Sequence, residues 1–553
     1  MMQENIVEIY EKSFRDNWEL PALTDYTEGK TTTYGQFARD IAQIHLFFKL
    51  AGVKKGDKIA LIGRNTPYWV TVFIGTITYG AVIVPILQDF NPRDAQHIIN
   101  HSDSVLLFAA NRIWEQMDLE NMPSVRAAIS CDNRALLAQQ EQETIAALLE
   151  QLPAEFEKEY PKGFTAEDIK YERPDNNSLA VINYTSGTTG FSKGVMLTYN
   201  NLTGNTVFGM RSKLHFPGSR CLSFLPLAHA YGCAFDMLTP LATGSHITLL
   251  GKIPSPKIIV DAMSKVKPDL VICVPLVLEK IYRKMIQPML SKNMIRWALM
   301  VPFLDNKIYA QIRKKLIEAF GGNFSQIIIG GAPFNKEVED FLRRIEFPFT
   351  VGYGMTECAP LISYTYWTDF VPYSAGRVLS GFMEAKITSD DPENIPGEIC
   401  VKGENVMQGY YKNPEATAAV LDEEGWLHTG DMGTISRDGT ISIRGRYKTM
   451  ILSSNGQNIY PEEIEAKLNN MTLVMESLVV ERDSKLIAIV YPDFEMMDRL
   501  GFTSEQLPDE MEKVRKELNK IVAPYEQISK IQLIANEFEK TPKKSIKRYL
   551  YTN

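Results

Sequence analysis

One short segment combines hydroxyl groups, glycines and a lysine in a pattern that suits phosphate binding. Residues 184–194 read YTSGTTGFSKG and follow LAVIN, a run that is typical of a buried strand. Glycines let the backbone approach a ligand closely, hydroxyls donate hydrogen bonds, and Lys193 adds a point charge. The segment therefore predicts a polyphosphate cradle, although it lacks the GxxxxGK[ST] pattern of P-loop NTPases. On composition alone, an ordinary Gly/Thr/Ser surface loop explains it equally well.

The complete string resembles the phosphate loop of adenylate-forming enzymes, which include acyl-CoA synthetases, luciferases and the adenylation domains of peptide synthetases. Further strings match that family in its order. They are IGGAP (329–333), GYGMTE (352–357), GWLHTGD (425–431), GRYK (445–448) and SSNGQNIYPEEIE (453–465). Each string alone could arise by chance, but together and in order they are specific, and the resemblance runs from about residue 30 to the end.

The resemblance implies roles for individual residues around the nucleotide. Tyr353 would stack on adenine, Thr356 would approach the α-phosphate, and Glu357 would hold Mg²⁺ with Thr185 nearby. A carboxylate is a suitable hard ligand for Mg²⁺. The ATP-binding residues implied by the family are Thr185, Ser186, Gly187, Thr188, Thr189, Gly190, Lys193, Gly331, Ala332, Pro333, Tyr353, Gly354, Met355, Thr356, Glu357, Asp431, Arg446 and Lys448.

Among these residues, Asp431 resembles the family aspartate that accepts both ribose hydroxyls, and Arg446 resembles the second ribose contact. Lys448 occupies the position of the hinge between a large body and a small mobile domain. We therefore expect the small domain to rotate about Lys448 between two half-reactions.

A lysine-rich tail, FEKTPKKSIKRYL (538–550), stands out against the acidic chain. It is either a solvated cationic tail or, by resemblance, the carrier of a lysine that enters the site during adenylation. The family string T-P-x-G-K-I has lysine where this chain has Ser545. We assign the catalytic role to Lys544, with Lys543 and Lys547 as the neighbouring alternatives.

Three segments bear on the acid substrate. His229, in FLPLAHAYG, resembles a family residue near the carboxylate and the acyl entrance, although a helix-capping or core histidine is the simpler interpretation. Residues 274–282 (VPLVLEKIY) resemble long-chain fatty acyl-CoA synthetases. Residues 295–305 (IRWALMVPFLD) offer apolar surface between charged flanks and could form an acyl tunnel wall, a membrane-touching patch or core. The catalytic residues predicted by resemblance are Lys544, His229 and Thr356.

Composition and charge narrow the class of protein. The 553 residues are 45% apolar and carry a net charge of -8, which argues against nucleic-acid binding. Six isolated cysteines and a charged N-terminus are typical of a cytoplasmic protein. Residues 68–88 contain no charge, which suggests either a membrane span or, as we favour, a buried helix, a break at Tyr79-Gly80 and a buried strand.

The elements that position these motifs alternate between helix and buried strand, which predicts a doubly wound α/β body. After about residue 372, short strands and an Asp438-Gly439 hairpin signal predict an antiparallel, barrel-like β part. Residues 450–553 predict a small mobile α+β domain. We expect a catalytic AMP-binding domain over 1–446, with its β-rich part at 372–446, and a hinge at 447–449.

The function implied is ATP-dependent activation of a fatty acid, long chain by resemblance, to acyl-AMP with release of pyrophosphate. Transfer of the acyl group to coenzyme A follows, so ATP, Mg²⁺ and CoA are expected. Two alternatives stay open: transfer to the phosphopantetheine of an acyl carrier protein, and a non-catalytic acyl- or nucleotide-binding relative. A peripheral membrane contact is also left open.

Overall fold

The alternating strands and helices of the body form a large sheet with a parallel centre. The computed structural model describes residues 1–185, 192–290, 304–452, 458–483, 485–541 and 545–552. Within these ranges the eight strands of the sheet, in spatial order, are Gly409–Tyr410, Lys193–Thr198, Leu179–Thr185, Val82–Ile86, Lys58–Ile62, Ser104–Ala109, Ala127–Ser130 and Leu136–Gln139. The five central strands are parallel, and antiparallel strands flank them. The predicted α/β architecture is confirmed.

The uncharged stretch 68–88 shows why this sheet is so well buried. Helix Pro67–Tyr79 starts after Thr66, whose side chain accepts a hydrogen bond from the Trp69 amide, and ends at Gly80 with φ of 90°. The chain then enters the buried central strand Val82–Ile86. A 13-residue helix is only about 20 Å long, well short of a bilayer core. The membrane-span alternative is therefore wrong for this stretch, and no described helix is long and apolar enough to cross a membrane.

Smaller sheets complete the body. A four-stranded sheet contains Arg220–Ser223, His246–Leu249, Pro21–Asp25 and Thr31–Thr33. A parallel three-stranded sheet contains Val271–Cys273, Ile327–Ile329 and Phe349–Val351. A second three-stranded sheet contains Tyr353–Gly354, Leu361–Tyr364 and Arg377–Val378. The parallel sheet places the IGGAP and GYGMTE strings at the ends of two neighbouring parallel strands, and Tyr353–Gly354 then enters the antiparallel sheet.

Helices cover the sheets of the body. Those of seven or more residues are Ile6–Asp16, Tyr34–Leu50, Pro67–Tyr79, Pro92–His101, Ile145–Glu159, Tyr199–Arg211, Pro256–Val266, Pro275–Ile281, Leu304–Ala319 and Lys336–Arg344. Shorter helices are Asn111–Trp114, Ala230–Cys233, Thr239–Ala242, Gln287–Leu290 and Pro414–Ala418. The six cysteines are buried as free thiols, in keeping with their isolated positions in the sequence.

The β-rich part is a four-stranded antiparallel sheet over the described residues, with strands Met383–Ile387, Gly397–Gly403, Leu427–Ile435 and Ile441–Arg446. The predicted hairpin at Asp438-Gly439 joins the last two strands. Gly439 adopts φ of 82°, a left-handed conformation that glycine tolerates without strain. This hairpin carries Asp431 and Arg446, two of the predicted ATP-binding residues, on its two strands.

The C-terminal part has a hydrophobic core of its own, which includes Ile464, Leu468 and Val479. Its strands are Ile451–Leu452, Asn458–Ile459, Val474–Arg482, Lys485–Pro492 and Lys530–Leu533, and its helices are Pro461–Leu468, Phe494–Leu500 and Leu507–Ile521. Pro461 occupies the first turn of its helix, as predicted. A hydrogen bond from Arg283 of the body to the Asn469 carbonyl links the two parts.

Candidate active site

The two ends of the predicted phosphate cradle are held side by side at the sheet. Thr185 ends one strand, Lys193 begins the next, and the two residues are direct cross-strand partners. Both side chains are half-buried. The remaining loop residues assigned to ATP lie outside the described residues: Ser186, Gly187, Thr188, Thr189 and Gly190. The structure therefore places the base of the cradle but leaves these five assignments as predictions.

Tyr410 connects the phosphate lysine with the candidate metal carboxylate. The Lys193 Nζ atom lies 4.9 Å from the centre of the Tyr410 ring. The Tyr410 hydroxyl donates a hydrogen bond of 2.9 Å to Glu357 Oε1. Burial raises the pKa of Tyr410 strongly, so the phenol keeps the proton that it donates. Lys193 and Glu357 are distant in sequence, but both contact the side chain of Tyr410.

The oxygen donors near this position fit a magnesium ion. Glu357 is half-buried, and a bond from Tyr410 to one carboxylate oxygen leaves the second oxygen of the same group as a potential ligand. Thr185 is the cross-strand partner of Lys193 and supplies a hydroxyl group. Carboxylate and hydroxyl oxygens are hard donors of the kind that Mg²⁺ prefers, so Glu357 and Thr185 remain the candidate metal residues.

A second cluster brings together the residues assigned to the adenosine. The Tyr353 hydroxyl donates to Asp431 Oδ2 at 2.7 Å, and Arg446 Nε lies 3.1 Å from Asp431 Oδ1. The strand register of the hairpin explains this contact, because Asp431 and Arg446 are direct partners. Burial raises the pKa of Asp431, while Arg446 and the Tyr353 hydrogen bond oppose the rise. The carboxylate is thus held in a fixed orientation beside an exposed guanidinium.

A cavity of about 50 Å³ lies next to Tyr353 and is lined mainly by apolar and aromatic groups. The predicted residues that line it are His229, Gly331, Tyr353, Gly354, Met355 and Thr356. Lining residues that were not predicted from the sequence include Leu214, Tyr231, Phe235 and Tyr364. Tyr231 carried a local signal, since it lies two residues after His229 in the PLAHAYG string. Nothing local marks Tyr364, which reaches the cavity only through the fold.

His229 combines the two interpretations that its sequence context allowed. Its Nδ1 atom accepts a 3.3 Å hydrogen bond from the Tyr231 amide, so it caps the short helix Ala230–Cys233. Its side chain also lines the cavity. An accepting Nδ1 places the proton of the neutral ring on Nε2. The cap therefore fixes the ring while a catalytic or binding role stays a prediction.

The glycine-containing strings fit their surroundings tightly. A Cβ atom on Gly354 would lie 2.3 Å from the Pro360 carbonyl oxygen, so no larger residue fits there without a backbone shift. Gly331 adopts φ of 86° where the chain turns after strand Ile327–Ile329. Ala332 and Pro333 continue this turn and are exposed. Gly331 and Gly354 both line the cavity, and without a Cβ atom their backbone can closely approach a ligand bound there.

The hinge and tail residues are placed in part. Lys448 is exposed within the single turn Tyr447–Thr449, directly after the strand that carries Arg446. Lys543 and Lys544 lie outside the described residues. Lys547 Nζ pairs with Glu539 Oε2 at 3.5 Å, and the Ser545 amide donates to Thr541 Oγ1 at 3.3 Å. The choice between these lysines therefore stays a prediction.

Comparison with known families identifies the class to which this fold and site belong. The family model described as AMP-binding enzyme matches residues 10–411, and the model of the AMP-binding enzyme C-terminal domain matches residues 448–553. The first match covers well over half of the chain. The protein belongs to the AMP-binding enzyme family.

Individual relatives are more distant. A peroxisomal long chain acyl-CoA synthetase of Arabidopsis thaliana is 29% identical over 84% of this chain and 69% of its own length. A long-chain-fatty-acid–CoA ligase of Mus musculus is 25% identical over 86% of this chain and 67% of its own length. The solved structure of an anthranilate CoA ligase with anthranoyl-AMP superimposes with a TM-score of 0.77 at 19% identity, over 99% of this chain and 96% of that one. This last likeness concerns the fold alone.

Proposed function

We propose that this protein is an acid–thiol ligase that activates a fatty acid, of long chain, with ATP and transfers the acyl group to coenzyme A. The arrangement around Tyr353 and Tyr410 carries the proposal. It joins the candidate phosphate, metal and ribose residues and sets them beside a mainly apolar cavity. The family match supports the nucleotide chemistry, and the names of the relatives support the choice of acid.

In the first half-reaction, the fatty carboxylate attacks the α-phosphorus of ATP and pyrophosphate leaves. Negative charge increases on the phosphoryl oxygens, so preorganised cations and donors provide the catalysis. Lys193 supplies a cation at the cradle and Thr356 a hydroxyl at the cavity wall. Bound Mg²⁺ would neutralise phosphate charge, held by Glu357 and Thr185. His229 lines the cavity on the side of Tyr231 and would orient the carboxylate.

In the second half-reaction, the thiol of coenzyme A attacks the acyl carbon and AMP leaves. We propose that the C-terminal part rotates about Lys448 between the two steps, because tail and hinge strings occupy the same part of the chain. Replacement of Lys448 by proline should hold one arrangement and impair one half-reaction much more than the other. Equal loss of both half-reactions would contradict the hinge proposal.

Pyrophosphate release tests the enzyme proposal directly. Purified protein with ATP and Mg²⁺ should release pyrophosphate with fatty acids in a chain-length-dependent manner. Lys193→Met should reduce the rate by about 10²–10³-fold, the usual effect of losing a transition-state donor. Lys252→Met is the matched control, since Lys252 also lies over a tyrosine ring, at 5.8 Å, but far from the cradle in sequence. If no fatty acid supports pyrophosphate release, the enzyme proposal fails and the non-catalytic binding protein is the alternative that is left.

Acceptor and tail experiments refine the proposal. Free CoA should support thioester formation, whereas a requirement for holo acyl carrier protein would favour that alternative. Single replacement of Lys543, Lys544 and Lys547 should show the large loss of adenylation only for Lys544. Sedimentation with phospholipid vesicles tests the membrane contact that the apolar residues 295–305 suggest; most of that segment lies outside the described residues.

A further inference from the structure

A segment of the β-rich part joins two elements of the candidate site. The Gln408 amide donates to the Met196 carbonyl at 3.0 Å, and the Tyr411 amide donates to the Gly194 carbonyl at 2.7 Å. On the other side, the Met407 amide donates to the carbonyl of Glu357 at 2.8 Å. The segment 407–411 is therefore bonded both to the strand that begins with Lys193 and to the loop that carries Glu357.

Tyr410 extends this bridge through its side chain. The side chain is buried, its hydroxyl donates to Glu357 Oε1, and its ring lies beneath Lys193 Nζ. The Tyr410 amide donates to Thr417 Oγ1 at 2.9 Å, which fixes the backbone that carries this buried ring. Gly409 makes this approach possible, since a Cβ atom there would lie 2.8 Å from Thr417 Cγ2.

This geometry keeps two opposite charges near each other without letting them pair. An ion pair between the Lys193 ammonium and the Glu357 carboxylate would neutralise both groups. Within the described ranges, no such pair is formed, and the Tyr410 ring and hydroxyl contact one group each. The lysine also loses part of its conformational freedom before a ligand arrives, which lowers the entropy cost of binding.

We propose that Tyr410 is a positioning residue that orients Glu357 toward a divalent cation and holds Lys193 for the phosphates of ATP. This inference rests on the proposed function for the identity of the two ligands. The Tyr410 hydroxyl contacts the Glu357 carboxylate and the Tyr410 ring contacts the Lys193 ammonium. Substitutions that remove only the hydroxyl, or the whole ring, therefore separate the effect on cation binding from the effect on nucleotide binding. Loss of the hydroxyl should weaken binding of the divalent cation, and loss of the ring should also weaken binding of ATP.

The experiment compares Tyr410→Phe, Tyr410→Leu and the matched control Tyr411→Phe. The control deletes the neighbouring phenol, which donates to Asp103 Oδ2 at 2.9 Å instead of to the site. Calorimetric binding of ATP is measured over a range of Mg²⁺ concentrations without fatty acid, together with melting temperatures and pyrophosphate release. We expect Tyr410→Phe to raise the Mg²⁺ concentration for half-maximal ATP binding about tenfold, with kcat at saturating Mg²⁺ nearly unchanged.

Tyr410→Leu should in addition raise the Kd for ATP at saturating Mg²⁺ by roughly fivefold, because the cation–π contact is lost. In a Glu357→Gln background, Tyr410→Phe should add no further change in Mg²⁺ dependence, since the two residues act as a unit. A merely structural role would lower the melting temperature without moving the Mg²⁺ half-saturation.

Unaltered Mg²⁺ dependence in a folded Tyr410→Phe variant, or an equal shift in Tyr411→Phe, would overturn the proposal. Additive effects of the Glu357 and Tyr410 substitutions would overturn it as well. If the unsubstituted protein binds Mg·ATP but activates no fatty acid, the proposed function fails while the shift in Tyr410→Phe still supports the positioning role. If it binds no Mg·ATP, both proposals are rejected.

Discussion

Asp431 of the β-rich part and Glu465 of the C-terminal part are both buried carboxylates paired with an arginine, yet their surroundings differ. Arg548 donates to Glu465 at 2.9 Å and to the Val479 carbonyl at 3.0 Å, and the Val479 amide donates to Glu465 at 2.6 Å. The side chain of Arg548 is only 23% exposed, whereas that of Arg446 beside Asp431 is 66% exposed. One arginine is enclosed by protein and the other faces solvent.

The difference indicates two uses of the same pair of residue types. Burial raises the pKa of both carboxylates, and the arginine opposes that rise in each case. At Glu465 the arginine is largely enclosed by protein, and Arg548 ties its own segment to helix Pro461–Leu468. At Asp431 the carboxylate is buried, but the guanidinium of Arg446 faces solvent and is open to an external ligand. We interpret the first pair as structural and the second as part of the proposed ribose site.

Removal of Arg548 should have the largest effect. Arg548→Met leaves the Glu465 charge buried without its cation, which typically costs about 3–5 kcal/mol. We expect hydrogen–deuterium exchange to show lost protection in strands Val474–Arg482 and Lys485–Pro492. Arg437→Met is the control, because that ion pair with Glu393 is on the surface and its loss should leave stability unchanged. If both strands of Arg548→Met keep their full protection from hydrogen–deuterium exchange, the Arg548–Glu465 pair does not have the structural role that we assign to it.

Asp431→Asn should affect ligand binding more than folding. Burial disfavours the charged form of Asp431, so a neutral amide of similar shape should leave the melting temperature nearly unchanged. Hydrogen bonds from ribose hydroxyls to a charged acceptor are worth about 1.5–3 kcal/mol, so the KM for ATP should rise roughly 10- to 100-fold. An unchanged KM in a folded variant would exclude Asp431 from the proposed ribose site.

Arg446→Gln should change the pH dependence of ATP use. In the proposed ribose site the ionised carboxylate of Asp431 accepts the ribose hydroxyls, so we expect binding to be lost as pH falls through its pKa. Arg446 lowers that pKa, and its removal should move the acid limb of the kcat/KM profile for ATP to higher pH. Arg444→Gln is the control, because Arg444 instead lies 3.7 Å from Glu463. The same profile in both variants would contradict a role for Arg446 at Asp431.

Tyr353→Phe should have the smallest of these effects. It removes one hydrogen bond to Asp431 but keeps the ring at the cavity wall. A loss of about 1 kcal/mol corresponds to a roughly fivefold higher KM for ATP. Tyr364→Phe also loses a cavity hydroxyl, but that group contacts Gln326, so its KM for ATP should not change. Equal KM values for both variants would show that the Tyr353 hydroxyl does not act through Asp431.

Local signals predicted much of the fold. Helix Pro67–Tyr79 and the strand after Gly80 were predicted from the break at Tyr79-Gly80 and from the β-branched residues clustered after it. The hairpin at Asp438-Gly439 follows from the turn residues between alternating strands. These features depend on neighbours in sequence, which is why composition and spacing suffice for them.

Contacts between segments that are distant in sequence could not be predicted from local signals. Tyr410 and Glu357 are 53 positions apart, and no periodicity brings them together. Asp431 and Arg446 were identified only by family resemblance, and the structure adds the strand register that joins them. The roles of the assigned site residues, including Lys544, stay predictions that the experiments above test.

The two-residue strand Gly409–Tyr410 also has a consequence for synthesis of the chain. Strand Lys193–Thr198 gains its second neighbour only when the ribosome has added roughly two hundred more residues. At about 5–20 residues per second, this open edge persists on the order of ten to forty seconds. An unpaired strand edge can template pairing with other chains. We therefore expect the nascent protein to be most prone to aggregation, and most dependent on chaperones, during this interval.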